Sequence, residues 1–489
     1  NKYMINKDYK YLPKEDRKKI LLICDDIRVH SGVATVAQQI VKKTCQHFNW
    51  VQIAGAINHP DKGKKLSLDK QLSEETGIED PSVTLYPVNG YSDSTFVRQL
   101  IKYEKPDAIM LFTDPRYFSW LFAIENEIRK NIPIIYLNIW DDYPAPLYNK
   151  EFYESCDLLM GISKQTVNIN KIVLGDKAAD KIIEYLPHGL DHTNYKPASE
   201  YNEEENKDLE KMKEHFFGKD EIDFCLFFNS RNIRRKQIPD TLWAFRMFLD
   251  SLPQEKADKC RFLLHTELVT DAGTDLKAVA ELLFGDGKYP KAVIFDQKRW
   301  EIQQLRHLYN ITDCQILLTS NEGWGLTLTE GILSGNPIIA NCTGGMQDQM
   351  RFADNKGKWF TPTPEIPSNN TGKYKNHGEW AFPVYPTSRS IQGSPQTPYI
   401  WDDRCEAKDA ADRIREVYDL GPKKRKELGL KGREWAISDE AGFTAEHQGK
   451  RFIDLTEKLF NTWEPRETFE VIDTDEADIL RTQTHNLVY

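Results

Sequence analysis

Several absences narrow the field first. The 489-residue chain contains no stretch of about 18 consecutive apolar residues, so no membrane-spanning helix is expected. Its opening, NKYMINKDYKYLPKEDRKK, is charged and lacks an apolar segment, so it does not read as a secretory signal. The eight cysteines (24, 45, 156, 225, 260, 314, 342 and 405) include no C-x-x-C pair, which argues against structural zinc and a thiol redox motif. Several lie in apolar runs, where buried free thiols and a reducing cytoplasm are expected. Positive charge is not in excess: 65 Lys and Arg against 75 Asp and Glu give −10, which disfavours a protein that coats nucleic acid. No repeat of solenoid period is visible.

What is present is an ordinary globular composition, 40% hydrophobic and 29% charged, with length for two or three cored domains. Short apolar runs alternate with helical patterns, which predicts parallel sheets of α/β type. The most informative stretch is Leu317–Met350, LLTSNEGWGLTLTEGILSGNPIIANCTGGMQDQM. A buried strand over Gln315–Thr319 leads into the turn Glu322-Gly323-Trp324-Gly325, and a helix follows from Leu326 to Ser334. Gly335 caps that helix and Pro337 stops it. A glycine turn before a helix start presents unpaired N–H groups and the positive end of the dipole to an anion. The amides of Gly325, Leu326 and Thr327 suit a phosphate, while the Glu322 and Glu330 carboxylates suit hydroxyls; together they fit a nucleotide sugar. Acids near a helix start are also ordinary helix stabilisers, and strand–turn–helix units occur throughout α/β proteins.

Other strand ends add candidates. Lys19–Cys24 leads through Asp25-Asp26 to Gly32 and a helix from Thr35 to about Cys45. Ile132–Ile139 ends at Trp140-Asp141-Asp142, where ligands of open sheets bind, although Asp before Pro also stabilises turns. Phe224–Asn229 is followed by Arg231 and Lys236, a fork and a point charge suited to a diphosphate; a plain surface basic cluster is the other reading. Arg234 and Arg235 receive no role, and His188 reads as a hydrogen-bonding turn residue. The aromatic-rich helix expected over 115–130 is assigned to packing.

The segment Glu322-Gly-Trp-Gly-Leu-Thr-Leu-Thr-Glu330-Gly-Ile-Leu-Ser-Gly-Asn-Pro337, with the Gly344-Gly345 turn after it, resembles the E-x7-E region of the family-four retaining glycosyltransferases of GT-B fold. Trp324, Thr327 and Gly331 depart mildly from the usual text. Only Gly32 remains of the family's first-domain Gly-Gly turn, and a common histidine is missing at Trp140-Asp141. The resemblance implies two Rossmann-like doubly wound domains facing a cleft. The expected divisions are 1–192 on the acceptor side, 193–462 on the donor side with an irregular insertion at about 354–400, and 463–489 returning to the first domain.

It also implies a metal-independent, retaining transfer of a hexose or pentose from a nucleotide-diphosphate sugar, expected to be a UDP-sugar, with no cofactor. Asp25-Asp26 and Asp141-Asp142 are adjacent pairs rather than a D-x-D cation site. Arg231 and Lys236 fall where the family holds the diphosphate, Glu322 where it contacts the donor sugar, and Glu330 where it contacts the ribose. Asp141 is a further catalytic candidate; Gly32, Gly323, Trp324, Gly325, Leu326 and Thr327 complete the donor contacts. The acceptor stays open among small molecule, glycan, lipid, protein and modified DNA. A DNA-modifying enzyme, with Lys42-Lys43, Lys62 and Lys64-Lys65 as a basic rim, and a non-catalytic sugar-nucleotide scaffold are the alternatives. Oligomeric state is not readable.

Overall fold

A computed structural model describes residues 11–366, 368–370 and 372–466; most of the segment expected to return over 463–489 therefore lies outside the described residues. The first sheet has eight strands: β1 (Lys18–Asp25), β2 (Phe48–Ala56), β3 (Leu66–Ser67), β4 (Val83–Asn89), β5 (Ala108–Phe112), β6 (Ile134–Asn138), β7 (Leu158–Gly161) and β8 (Ile182–Tyr185). Their order is β3-β4-β2-β1-β5-β6-β7-β8, parallel except for the short β3. The second sheet holds β9 (Phe224–Asn229), β10 (Cys260–His265), β11 (Val293–Asp296), β12 (Cys314–Leu317), β13 (Ile338–Asn341) and β14 (Ala381–Val384). It is ordered β11-β10-β9-β12-β13-β14, and all its pairs are parallel.

Helices cover both faces of each sheet, which is why the central strands are continuous apolar runs instead of alternating ones. Ile20–Cys24 of β1 and Phe224–Phe228 of β9 are all buried. Strand order reverses between β1 and β5 in one sheet and between β9 and β12 in the other. Such reversals open a crevice at the strands' carboxyl ends. All eight cysteines are free, and seven are buried. Among the described residues no helix is long and apolar enough to cross a membrane.

Three regions differ from the sequence reading. The aromatic stretch at 115–130 is a broken path of short turns, Pro115–Phe118, Ser119–Phe122 and Glu125–Ile128. Its Phe118, Leu121 and Phe122 are buried in the first lobe, so packing of the aromatics overrides the local preference for one continuous helix. The 354–400 insertion is not wholly irregular. It supplies edge strand β14 and most of an antiparallel hairpin, β15 (Ser388–Ser394) and β16 (Thr397–Arg404). Finally, the chain crosses back before residue 463. The helix Ala445–Thr462 already lies on the first lobe, with Phe452 5.6 Å from Trp50 and Lys43 2.9 Å from Glu446. Its crossing runs beside the first one: Leu190 N–H donates to the Phe443 carbonyl (3.1 Å) and Ala445 N–H to the Leu190 carbonyl (2.9 Å).

The lobes also touch at both sides of the gap. The β15–β16 hairpin is rooted in the second lobe by Asp403, fully buried, which accepts from Thr343 Oγ1 at 2.8 Å and Asn369 Nδ2 at 3.0 Å. It reaches the first lobe through Trp401 N–H to the Tyr143 carbonyl (2.7 Å) and the Tyr399 ring edge-on to Tyr148 (5.1 Å). Elsewhere, buried Asp348 of the second lobe accepts from Lys164 N–H and Tyr185 Oη, each at 2.9 Å.

Candidate active site

Between the lobes lies a cleft of about 700 Å³, a size suited to a nucleotide sugar. Its second-lobe wall comes from the carboxyl ends of β9 and β12, the two strands that flank the reversal. Backbone bonding ties their loops together, with Ser320 N–H donating to the Arg235 carbonyl at 2.8 Å. That adjacency brings Lys236 against Glu322 although 86 residues separate them.

Lys236 Nζ donates to Glu322 Oε2 at 2.5 Å, and Arg235 Nη1 reaches the same oxygen at 3.2 Å. Lys236 and Glu322 are both buried. Burial alone would raise the Glu322 carboxyl, but the two cations outweigh it and hold the group down at about 2. Burial lowers the Lys236 ammonium, and Glu322 opposes that shift. The turn that follows is tightly backed. Gly345 N–H donates to the Glu322 carbonyl at 3.0 Å, and a Cβ on Gly344 or Gly345 would sit 2.1 or 2.0 Å from the Glu322 or Gly323 carbonyl oxygen. Gly325 takes φ +87°, the left-handed region open to glycine, and the helix Leu326–Leu333 starts there. No side chain caps that helix, and its first residues, Leu326 and Thr327, line the cleft.

The residues singled out from the sequence gather here. Glu322, Arg231, Lys236, Asp141, Gly32, Gly323, Trp324, Gly325, Leu326 and Thr327 all line the cleft. Their circumstances differ. Arg231 extends into solvent with its side chain 82% exposed, 4.0 Å from Glu267. Trp324 borders the cleft, but its indole is buried, donating to Thr329 Oγ1 at 2.9 Å. Gly32 begins the first lobe's opening helix, which Ser31 caps, and a Cβ there would meet no protein atom. Gly323 is pressed by the other lobe: its Cβ position lies 3.1 Å from Ile162 Cδ1 and 3.7 Å from Asp141 Cβ. Beside Asp141, Asp142 is buried; burial first, then repulsion by Asp141, lifts its carboxyl well above the usual range.

Glu330 is not on the cleft lining. It receives the Tyr309 hydroxyl, and desolvation raises its carboxyl to about 7. Sequence reasoning missed Arg235, whose carboxylate partner becomes visible only through the β9–β12 adjacency. It also missed His188, which borders the cleft and whose imidazole burial lowers to about 4. Asn229 and His265, the latter 2.7 Å from Asp296, also line the second-lobe wall. Four of the five lysines of the expected basic rim are paired: Lys42 with Glu75 (2.6 Å), Lys43 with Glu446 (2.9 Å), Lys64 with Asp61 (2.8 Å) and Lys65 with Glu104 (3.8 Å).

No family model and no curated protein matches the chain. Solved structures do. A glycosyltransferase from Rickettsia africae aligns at TM-score 0.63 and 15% identity, covering 92% of this chain and 100% of that one. Sucrose-phosphate synthase from Thermosynechococcus elongatus gives 0.61 and 14%, covering 91% and 100%. A trehalose-6-phosphate protein from E. coli, bound with UDP-2-fluoro glucose, gives 0.60 and 12%, covering 92% and 100%. The architecture is thus the two-domain GT-B fold, as the sequence resemblance implied.

Proposed function

We propose that this chain is a retaining glycosyltransferase. It moves a hexosyl or pentosyl group from a nucleotide-diphosphate sugar, a UDP-sugar first among them, to an acceptor hydroxyl. The observation that carries the reading is the Lys236–Glu322–Arg235 group set against an uncapped helix start inside a cleft of nucleotide-sugar size. The GT-B neighbours add support, one of them holding a UDP-sugar analogue.

The chemistry follows from where charge develops. The bond between the anomeric carbon and the diphosphate breaks, negative charge builds on the leaving phosphate oxygen, and the sugar gains cationic character. Lys236 and the amides at Gly325–Thr327, set at the cleft before reaction, stabilise the phosphate, and the exposed guanidinium of Arg231 joins them by swinging in from solvent. Glu322 orients Lys236 and accepts from donor-sugar hydroxyls; Glu330, inside the helix behind the cleft lining and bonded by Tyr309, takes the ribose role that the motif resemblance implies. The acceptor proton passes to the leaving diphosphate, and the new bond forms on the face that the diphosphate leaves. A double-displacement route would instead need a nucleophilic carboxylate near the anomeric carbon. Asp141 is the cleft-lining first-lobe acid; its role here is to position donor hydroxyls.

The deciding experiment incubates the full chain with UDP-, GDP- and ADP-sugars and follows nucleotide release and product mass. Release that Lys236→Ala abolishes supports the reading. Tight nucleotide binding with no release under any acceptor condition favours a non-catalytic scaffold, and absence of both binding and release ends it.

A further inference from the structure

The cleft's two walls carry opposite charge character, and this bears on the acceptor. All lysines and arginines lining the cleft belong to the second lobe: Arg231, Arg235, Lys236, Lys298 and Arg299. The first-lobe wall is Gly32, Val33, Phe112, Ile139, Asp141, Ile162 and His188; burial lowers the His188 imidazole to about 4, which leaves the Asp141 carboxylate as the charged group of this wall. The arginines that flank this wall's Gly32 and Phe112 in the chain, Arg28 and Arg116, are each already taken. Arg28 forks onto Asp26 (3.0 and 2.7 Å), and Arg116 onto Asp114 (2.9 and 2.5 Å). Asp26 also holds His59 at 2.7 Å, and Arg116 spends a further N–H on Gln396 of the hairpin at 3.3 Å. A phosphate brought to this wall would give up its hydration, find no open fork, and face the Asp141 carboxylate.

What the wall does offer suits hydroxyl groups and a sugar ring. Next to Gly32, Ser31 Oγ and Tyr91 Oη both donate to Asp25, at 2.6 and 2.5 Å, fixing that carboxylate at the end of β1. The Tyr91 ring stands 5.2 Å from Tyr117, which is 54% exposed, so an open aromatic face continues outward from the glycine. Such a ring gives the apolar side of a pyranose a surface to cover, while carboxylate oxygens accept its O–H groups.

We propose that the acceptor taken at the first-lobe wall is an uncharged carbohydrate, and that sugar phosphates are excluded there because its arginines are masked by Asp26 and Asp114. This rests on the transferase reading above and adds the class of its second substrate. The wall that grips a diphosphate and the wall that receives the acceptor are then matched to opposite chemistries, which also keeps the donor from binding in the acceptor position.

The experiment has two stages. Binding of UDP, GDP and ADP to the full chain is first measured by thermal shift and calorimetry; if none binds, the transferase reading fails and this proposal falls with it. The nucleotide-loaded chain is then titrated with glucose 6-phosphate and fructose 6-phosphate. Nucleotide release from the donor that works is compared for each matched pair, glucose against glucose 6-phosphate and fructose against fructose 6-phosphate. The expected result is no saturable binding of either sugar phosphate up to about 10 mM, a ceiling corresponding to negligible affinity. Any turnover is expected to favour the unphosphorylated partner by at least about tenfold. Asp114→Asn keeps a helix-capping side chain but frees Arg116, and is expected to give measurable glucose 6-phosphate binding. Saturable binding of a sugar phosphate to the nucleotide-loaded wild-type chain, or faster turnover with the phosphorylated partner, overturns the proposal.

Discussion

The two walls of the cleft are built from similar parts to different ends. Each sits at the carboxyl edge of a parallel sheet where strand order reverses, and each has a glycine at a helix start. On the second-lobe side, buried cations and a carboxylate lock together, and the backbone is braced from behind by Gly344-Gly345. On the first-lobe side, Gly32 faces open space, and the nearby arginines are spent on neighbouring aspartates. The difference teaches that one sheet topology supplies only a place to bind; charge bookkeeping among a few side chains decides what binds.

That contrast can be broken most directly at Lys236 and Glu322. Lys236→Ala or Glu322→Ala is expected to cut nucleotide release by about 10²–10³-fold, the range for losing a preorganised charge stabiliser. Each also breaks a buried ion pair, which Arg235 offsets in part only for Lys236→Ala, so thermal unfolding should show a loss of up to about 3–5 kcal/mol, larger for Glu322→Ala. The double variant Lys236→Met/Glu322→Leu is expected to recover much of that stability without recovering turnover; recovery of both would separate the pair from catalysis.

Arg231 sharpens the comparison from within the second-lobe wall. Because its side chain is exposed, Arg231→Ala should leave stability within about 0.5 kcal/mol of wild type. A rise in donor KM of about tenfold is expected, as for a lost charge-assisted contact to phosphate. Steady-state kinetics with unfolding curves test both halves.

Next in size is a pH effect. The Glu330 carboxyl stands at about 7 in the free protein, above its ordinary value, so it is largely protonated at pH 6 and ionised at pH 8. If the carboxylate accepts from ribose hydroxyls, the ionised form binds better, and donor affinity should rise by up to about tenfold from pH 6 to pH 8 with proton release. The sign for stability is opposite: a raised acid pKa favours the folded state below it, and that contribution is lost as pH rises through 7. Calorimetry in buffers of different ionisation enthalpy reads the proton, and Glu330→Gln should flatten the profile.

The smallest expected effect is on the other wall. Gly32→Ala meets no protein atom and replaces a helical glycine, so stability should be unchanged or higher by about 0.5–1 kcal/mol. An acceptor KM raised severalfold, with donor affinity held, would place the acceptor against this helix start. An unchanged acceptor KM would move it elsewhere.

Much of this arrangement was legible in the sequence where its cause is local. The β12–turn–helix unit, the Gly344-Gly345 turn and the apolar strands announce themselves through runs and glycines a few residues apart. What was not legible depends on neighbours far away in the chain. Arg235 looked idle because its carboxylate partner lies 87 residues on, across a strand adjacency that no local pattern encodes. The helix Ala445–Thr462 is amphipathic whichever lobe it covers, so periodicity could not show that it lies against Trp50. The hairpin reads as loop because β15 is exposed along its whole length and lacks the alternation of a half-buried strand.

That hairpin has a consequence for turnover. It fastens the lobes at one flank through Trp401 and Tyr399, while Asp348 with Lys164 and Tyr185 fastens another. On the transferase reading, spent nucleotide would leave a gap held by these clasps, so a wide swing of the lobes requires at least one of them to undo. The pace of the proposed cycle would then belong as much to these clasps as to the breaking of the sugar bond.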